Sequence, residues 1–352
     1  MTHERITATD RQALGFIARF PGADTDCVAQ ALVANQSRFD NPDRRADTIH
    51  PTKNVAGRRL AKLARLGAIQ SWRAPAAQVT HHGILDMGFD VLEIFGEAPL
   101  LERGITHKTG TALMHCRDIA AVAAQLMHAE YADPRVTEIM GGAVPLEGFI
   151  TDQSMSSSLT TCRKQDAGFS LYQHITKTLA TATAEDIADP WFWLTQPELV
   201  VLTAPASTET KHRTHRPDMV VLTESNKRIA VEIERSAKSI NAYADILRLF
   251  RKTLIGYESE GADKRVAPVH GMVWLCASQT IKNALKKAAE AVDPKLISGG
   301  WVIIADLTNA DGTPLVYGDT VPVTPRRKAV PQKASGTASA LRPPKMPTSP
   351  KA

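Results

Sequence analysis

Cysteine is scarce and scattered: Cys27, Cys116, Cys162 and Cys276 are the only four in 352 residues. Spacing that wide suits neither a zinc cluster nor a disulfide framework, and fits a reducing cytoplasm. Long apolar runs are missing too. No stretch approaches the ~18 apolar residues of a membrane-crossing helix, and the N-terminus lacks the apolar core of a secretory signal. The expectation is a cytoplasmic protein with no membrane partner. Acidic residues vanish after position 320, where Arg326, Arg327, Lys328, Lys333, Arg342, Lys345 and Lys351 stand unopposed. The formal charge of +5 therefore rests on the tail, and the body before it is slightly acidic. The tail is rich in proline and has no periodic apolar face to bury, so residues 316–352 are expected to be disordered. Its Arg326-Arg327-Lys328 run either adds nonspecific phosphate contacts or only solubilises the end.

What is present is enough apolar residue, 43%, and enough length for two globular domains. Residues 1–95 carry three helical patterns. The first spans Asp10–Phe20 with Leu14 and Ile17 on one face, and the second follows Asp24 as a cap. A polar stretch over Asn35–His50 separates them from the third, which begins near Pro51 or Thr52 and ends at Gly67, a natural C-cap. This third helix buries Ala56, Leu60, Leu63 and Ala64 and carries Lys53, Arg58, Arg59, Lys62 and Arg65 elsewhere. Two short strands follow, Ala68–Arg73 and Gln78–Gly83, joined by a Pro/Ala turn. A basic helix followed by a hairpin describes a winged helix-turn-helix. In that arrangement the helix enters the major groove of double-stranded DNA and Arg73 lies near phosphates. The alternative is that the cations only solvate a surface.

Residues 96–200 form a less legible connecting region. Thr109–Tyr131 reads as an alanine-rich helix and Met140–Gly148 as turns. Gln153–Thr161 is poor in apolar residues. Trp191-Phe192-Trp193 reads as buried packing before it reads as a base-stacking platform. From 201 to 315 the order is regular: strands at Met219–Leu222 and Ile229–Ile233, a helix over 237–252, a strand at His270–Cys276, a helix at Ile281–Val292 and a last strand at Trp301–Ala305. This is an α/β (α+β) arrangement with a mixed sheet and at least one crossover.

Three carboxylates attend the first two strands. Asp218 stands at the start of one, and Glu232 and Glu234, two residues apart, share a face of the other. The pattern looks like the PD-(D/E)xK nuclease-like domain, with Asp218 and Glu232 as holders of Mg²⁺ or Mn²⁺. It departs from that pattern where a lysine belongs: Glu234 stands there, and Lys238 lies one helical turn later. Three readings stay open. Asp218, Glu232, Glu234 and Lys238 form a catalytic site with its lysine relocated; or the domain is a scaffold kept for DNA or protein binding; or Glu232 or Glu234 pairs with Arg216, Arg235 or Lys238.

Taken together, Val55–Gly67 with its hairpin to Gly88, and His215–Lys252 with the strands after it, resemble the replication-relaxation proteins of bacterial plasmids and integrated mobile elements. The resemblance covers about half the chain, and Glu232-Ile233-Glu234-Arg235-Ser236 matches the family's acidic-x-acidic strand end. It implies a DNA-associated accessory role in plasmid replication, mobilisation or conjugative transfer. A relaxase or replication initiator would then be a partner, and a homodimer is compatible with a winged helix.

Overall fold

The computed structural model of the chain describes residues 5–39, 53–73, 79–96, 110–129, 131–204, 214–256 and 266–315, all within one compact unit, Met1–Leu315. The tail, most of the Asn35–His50 stretch, and the turn between the hairpin strands lie outside the described residues.

Thr7 and Asp10 open the chain's first helix, α1 (Ala8–Arg19), with a capping box: each side chain takes up the other's backbone N–H. Leu14, Phe16 and Ile17 are buried behind it. Helix α2 (Thr25–Phe39) starts after Asp24, whose carboxylate accepts the Cys27 N–H at 2.9 Å. Helix α3 (Lys53–Arg65) ends where Gly67 takes a left-handed φ of 74°, so the expected C-cap is in place. Strands β1 (Ile69–Arg73) and β2 (Thr80–Ile84) pair antiparallel, with Ser71 opposite His82. The hairpin root is tied down by Gly22–Asp24: Gly22 donates to the His82 carbonyl, and His82 N–H returns to Ala23, both at 2.9 Å. Helix α4 (Asp86–Ile94) closes this part.

Helix α5 (Gly110–Met127) runs between that bundle and a five-stranded sheet. Helix α6 (Pro134–Met140) is cut to length by Asp133 as N-cap, Pro134 in the first turn and left-handed Gly141 at the end. The sheet order is β3 (Phe149–Thr151), β6 (Met219–Leu222), β7 (Arg228–Glu234), β8 (Gly271–Cys276) and β9 (Val302–Asp306). The first three are antiparallel neighbours, whereas β7, β8 and β9 are parallel and joined by crossover helices α11 (Ile240–Gly256) and α12 (Gln279–Val292). The architecture is therefore mixed α and β, and β6, β7, β8 and β9 stand where the sequence periodicity places them.

Strand β3 is not among those expected. It follows directly on the Met140–Gly148 segment read as turns. The apolar-poor stretch after it is helix α7 (Asp152–Gln165), capped by Thr151 and Ser154. Serine and threonine suit a cap, but they hide a helix from an argument based on apolar period. Helix α8 (Leu171–Thr181), short helices α9 (Ala184–Ala188) and α10 (Pro190–Thr195), and a 3₁₀ turn at Pro197–Val200 complete the middle. A small ribbon, β4 (Leu202–Thr203) with β5 (Thr214–His215), leads into β6.

One face of the sheet, with Val220, Ala230, Met272, Trp274 and Ile304, packs into a core with Tyr243, Leu247 and Phe250 of α11 and Trp193 of α10. Helices α5 and α6 touch β7 and β9, so strand residues on both parities are buried. That two-sided burial is why the parallel strands show no alternation. Trp193 is fully buried, and the Arg228 guanidinium sits 3.9 Å from its ring centre. Trp191, read as part of a buried aromatic run, is exposed, and so is Ile240 at the start of α11. The free edge of β9 is occupied by side chains. Arg135 donates to the Ile304 carbonyl at 3.2 Å and Tyr131 to that of Asp306 at 2.8 Å.

Candidate functional site

Two places were singled out by the sequence, and the fold treats them differently. On α3 the apolar side (Ala56, Leu60, Leu63) is buried, which leaves Asn54, Arg58, Ala61 and Arg65 as an exposed stripe at helical spacing. Arg58 makes no ion pair with another described residue. Arg73, at the end of β1, is also exposed, its Nε 3.5 Å from the Thr80 hydroxyl.

Arg59 and Lys62 turn the other way. Arg59 reaches Asp10 at 3.0 Å and Lys62 reaches its second oxygen at 2.8 Å, while Asp10 itself is fully buried. Burial alone would raise the Asp10 carboxyl, but the bonds from Lys62, Thr7 and Arg59 outweigh it and hold the group below its usual value. The Arg58-Arg59 pair is thus divided: one residue faces outward and the other clamps α3 onto the cap of α1. Lys53, exposed at the start of the helix, pairs with Asp26 at 2.8 Å.

The acids of the sheet do converge. Asp218 leads into β6 and accepts the Ile233 N–H of β7 at 2.7 Å through Oδ2. Its Oδ1 lies 2.8 Å from Nε2 of His115, which α5 delivers from a hundred residues earlier. Glu232 is buried on β7 and lies 2.6 Å from Nε2 of His215 on β5. Glu234, also buried, pairs with Lys238, whose head remains half-exposed. The alternative partners go elsewhere: Arg216 pairs with Asp152 at 3.0 Å and Arg235 forks onto buried Asp118 of α5.

Each expected site acid therefore has a basic partner from its own chain. The His115 imidazole is raised, first by its bond to Asp218. For His215, burial pulls downward but is outweighed by Glu232, so this imidazole is raised too. Glu232 is itself raised by burial, which His215 partly offsets. Three acids, two histidines and a lysine thus stand paired at this end of the sheet. Beside it lies a groove of about 430 Å³, lined by Ser156, Thr160 and Arg163 of α7 and by Thr214, His215 and Arg216.

No family model, curated protein or solved structure matches this chain. No helix among the described residues is long and apolar enough to cross a membrane.

The two histidines are what sequence reasoning missed. His215 stands inside the stretch that drew attention, and a basic ring three residues before an expected metal-holding aspartate was a usable signal. For His115 there was none, because its partnership depends on where α5 lands.

Proposed function

We propose that this chain binds duplex DNA through α3 and the β1–β2 hairpin, as a winged helix does, and that its sheet is a nuclease-like scaffold with an internally neutralised acid end. The observation that supports the first half is the outward stripe of α3. Two arginines flank a small residue, Ala61, on the face left over when the apolar side is buried. A helix offered in that way can approach base edges closely and place guanidiniums on guanine or phosphate. The scaffold half rests on the pairing of Asp218, Glu232 and Glu234 with His115, His215 and Lys238. A hard cation such as Mg²⁺ takes carboxylate oxygens, and both of Asp218 and one each of Glu232 and Glu234 are already engaged. The role in plasmid replication, mobilisation or conjugative transfer, beside a relaxase or initiator, rests on the family resemblance alone.

Fluorescence anisotropy with a mixed-sequence duplex tests the binding. Arg58→Ala should weaken it by roughly 1–3 kcal/mol if the guanidinium reads a base, with unchanged thermal stability. Equal affinity for the parent and Arg58→Ala chains would refute the assignment of this face.

A second reading, an Mg²⁺- or Mn²⁺-dependent endonuclease, is favoured by one specific observation. Asp218, Glu232, Glu234 and Lys238 do gather at one end of the sheet, and a groove with Arg163 and Arg216 lies beside them. Supercoiled plasmid incubated with either metal separates the two. Cutting by the parent chain that disappears in Glu232→Gln would make the site catalytic, and intact plasmid supports the scaffold.

A further inference from the structure

A different trio of side chains meets on the far side of α7. Cys162 lies in the last turns of α7, His174 in the first turn of α8, and Glu198 in the 3₁₀ turn Pro197–Val200. A thiol sulfur, an imidazole nitrogen and a carboxylate oxygen from these three lie within 4.8 Å of one another. Glu198 is only 4% exposed. Its Oε1 is 3.0 Å from His174 Nε2, and its Oε2 accepts the hydroxyl proton of Ser158, one helical turn before Cys162. The Phe169 ring packs against His174 with centroids 5.4 Å apart.

The bland account is a buried glutamate satisfied by a histidine and a serine. It accounts for Glu198, His174 and Ser158, and Cys162, one turn after Ser158, adds a soft donor that it does not require. The donor set speaks for a metal. Thiolate, imidazole and carboxylate are the three side-chain ligands of zinc, whereas Mg²⁺ and Ca²⁺ take oxygen. A tetrahedral ion with bonds of about 2.0–2.3 Å holds its ligand atoms roughly 3.3–3.8 Å apart. The 3.0 Å His174–Glu198 separation therefore has to open by a few tenths of an ångström, and the sulfur, within 4.8 Å, to close by up to about 1 Å. His174 and Cys162 are partly exposed, so an ion has a way in.

We propose that Cys162, His174 and Glu198 form a three-ligand site for a divalent zinc-type cation, with water or Ser158 Oγ completing the coordination. Binding displaces the thiol proton to solvent. It also requires His174 to present the Nε2 lone pair, with its proton on Nδ1. The ion fastens α7 to α8 and to the turn before β4. Because Arg163, Thr160 and Ser156 of α7 line the groove beside His215, it also fixes one wall of that groove. The site owes nothing to the DNA-binding proposal.

The test uses the untagged full-length chain, stripped of metal and reconstituted with Zn²⁺ or Co²⁺. Elemental analysis should find about one zinc per chain, and the cobalt form should show thiolate-to-metal charge transfer in the near ultraviolet. Cys162→Ser should abolish that band and weaken zinc binding at least ~100-fold, a larger effect than losing an outer partner. Since Cys162 is partly exposed, this variant should keep the parent's circular dichroism. Glu232→Gln should bind zinc as the parent does. Absence of zinc and of the cobalt band in the reconstituted parent would overturn the proposal. So would zinc retained by Cys162→Ser, or zinc lost from Glu232→Gln alone.

Discussion

Asp10 shows how one buried charge decides the roles of its neighbours. It is fully buried, closes the capping box of α1 and takes two cations from α3. Arg59→Ala should therefore act as a stability mutation, costing about 1–3 kcal/mol because a buried acceptor loses a donor. Urea unfolding checks this, and the contrast with Arg58→Ala is diagnostic: the first should move the midpoint, the second the DNA affinity. The histidines of the acid site give a pH signature. His115 and His215 hold their protons more tightly folded than unfolded. Their stabilisation is thus complete below the unfolded value of about 6.5 and is lost as pH rises through the raised folded values. Asp10 and Asp24 act in the opposite direction. Both are depressed in the fold, so their contribution is present above about 3.9 and lost as pH falls through the folded values. His115→Gln and His215→Gln should each flatten the alkaline decline in urea midpoint, measured between about pH 6 and pH 9. An unaltered slope in both variants would contradict the pairing.

Among the elements, α4 is placed by the absence of a side chain. A methyl group added at Gly88 would lie 2.4 Å from the Ala68 carbonyl and 2.7 Å from the Ile84 side chain. The first contact is backbone and cannot swing away, so Gly88→Ala should cost about 1–3 kcal/mol or more by overpacking. A thermal melt of the variant reads this directly. These contacts also show what the sequence could convey. Strands β6 to β9, α3 and its Gly67 cap were legible because period, β-branched runs and cap chemistry are local. Two carboxylates two residues apart on β7 were bound to share a face. The inward turn of Arg59 and Lys62 was hidden, since charge pattern does not say which cation meets an acid from another helix. Strand β3 was too short to announce itself, and the serines and threonines of α7 diluted its apolar period. Cys162, His174 and Glu198 come from separate elements, and cysteine spacing alone argued against a zinc cluster.

At the level of the whole molecule, α5 is the bond between the helical bundle and the sheet. Arg117 pairs with Asp24 on one side, while Asp118 holds Arg235 and His115 holds Asp218 on the other. Adjacent residues thus grip opposite halves, and the described parts of the bundle and the sheet should lose structure together. Asp118→Ala removes the buried carboxylate that Arg235 forks onto and should cost about 1–3 kcal/mol. Differential scanning calorimetry should show one transition moved downward as a whole. Two resolved transitions would mean that α5 does not couple the halves.

The outer edge of β9 carries a further consequence. Because Arg135 and Tyr131 already occupy the carbonyls of Ile304 and Asp306, that border offers little for an incoming strand to zip onto. Addition of a further strand is therefore disfavoured at this rim of the five-stranded sheet.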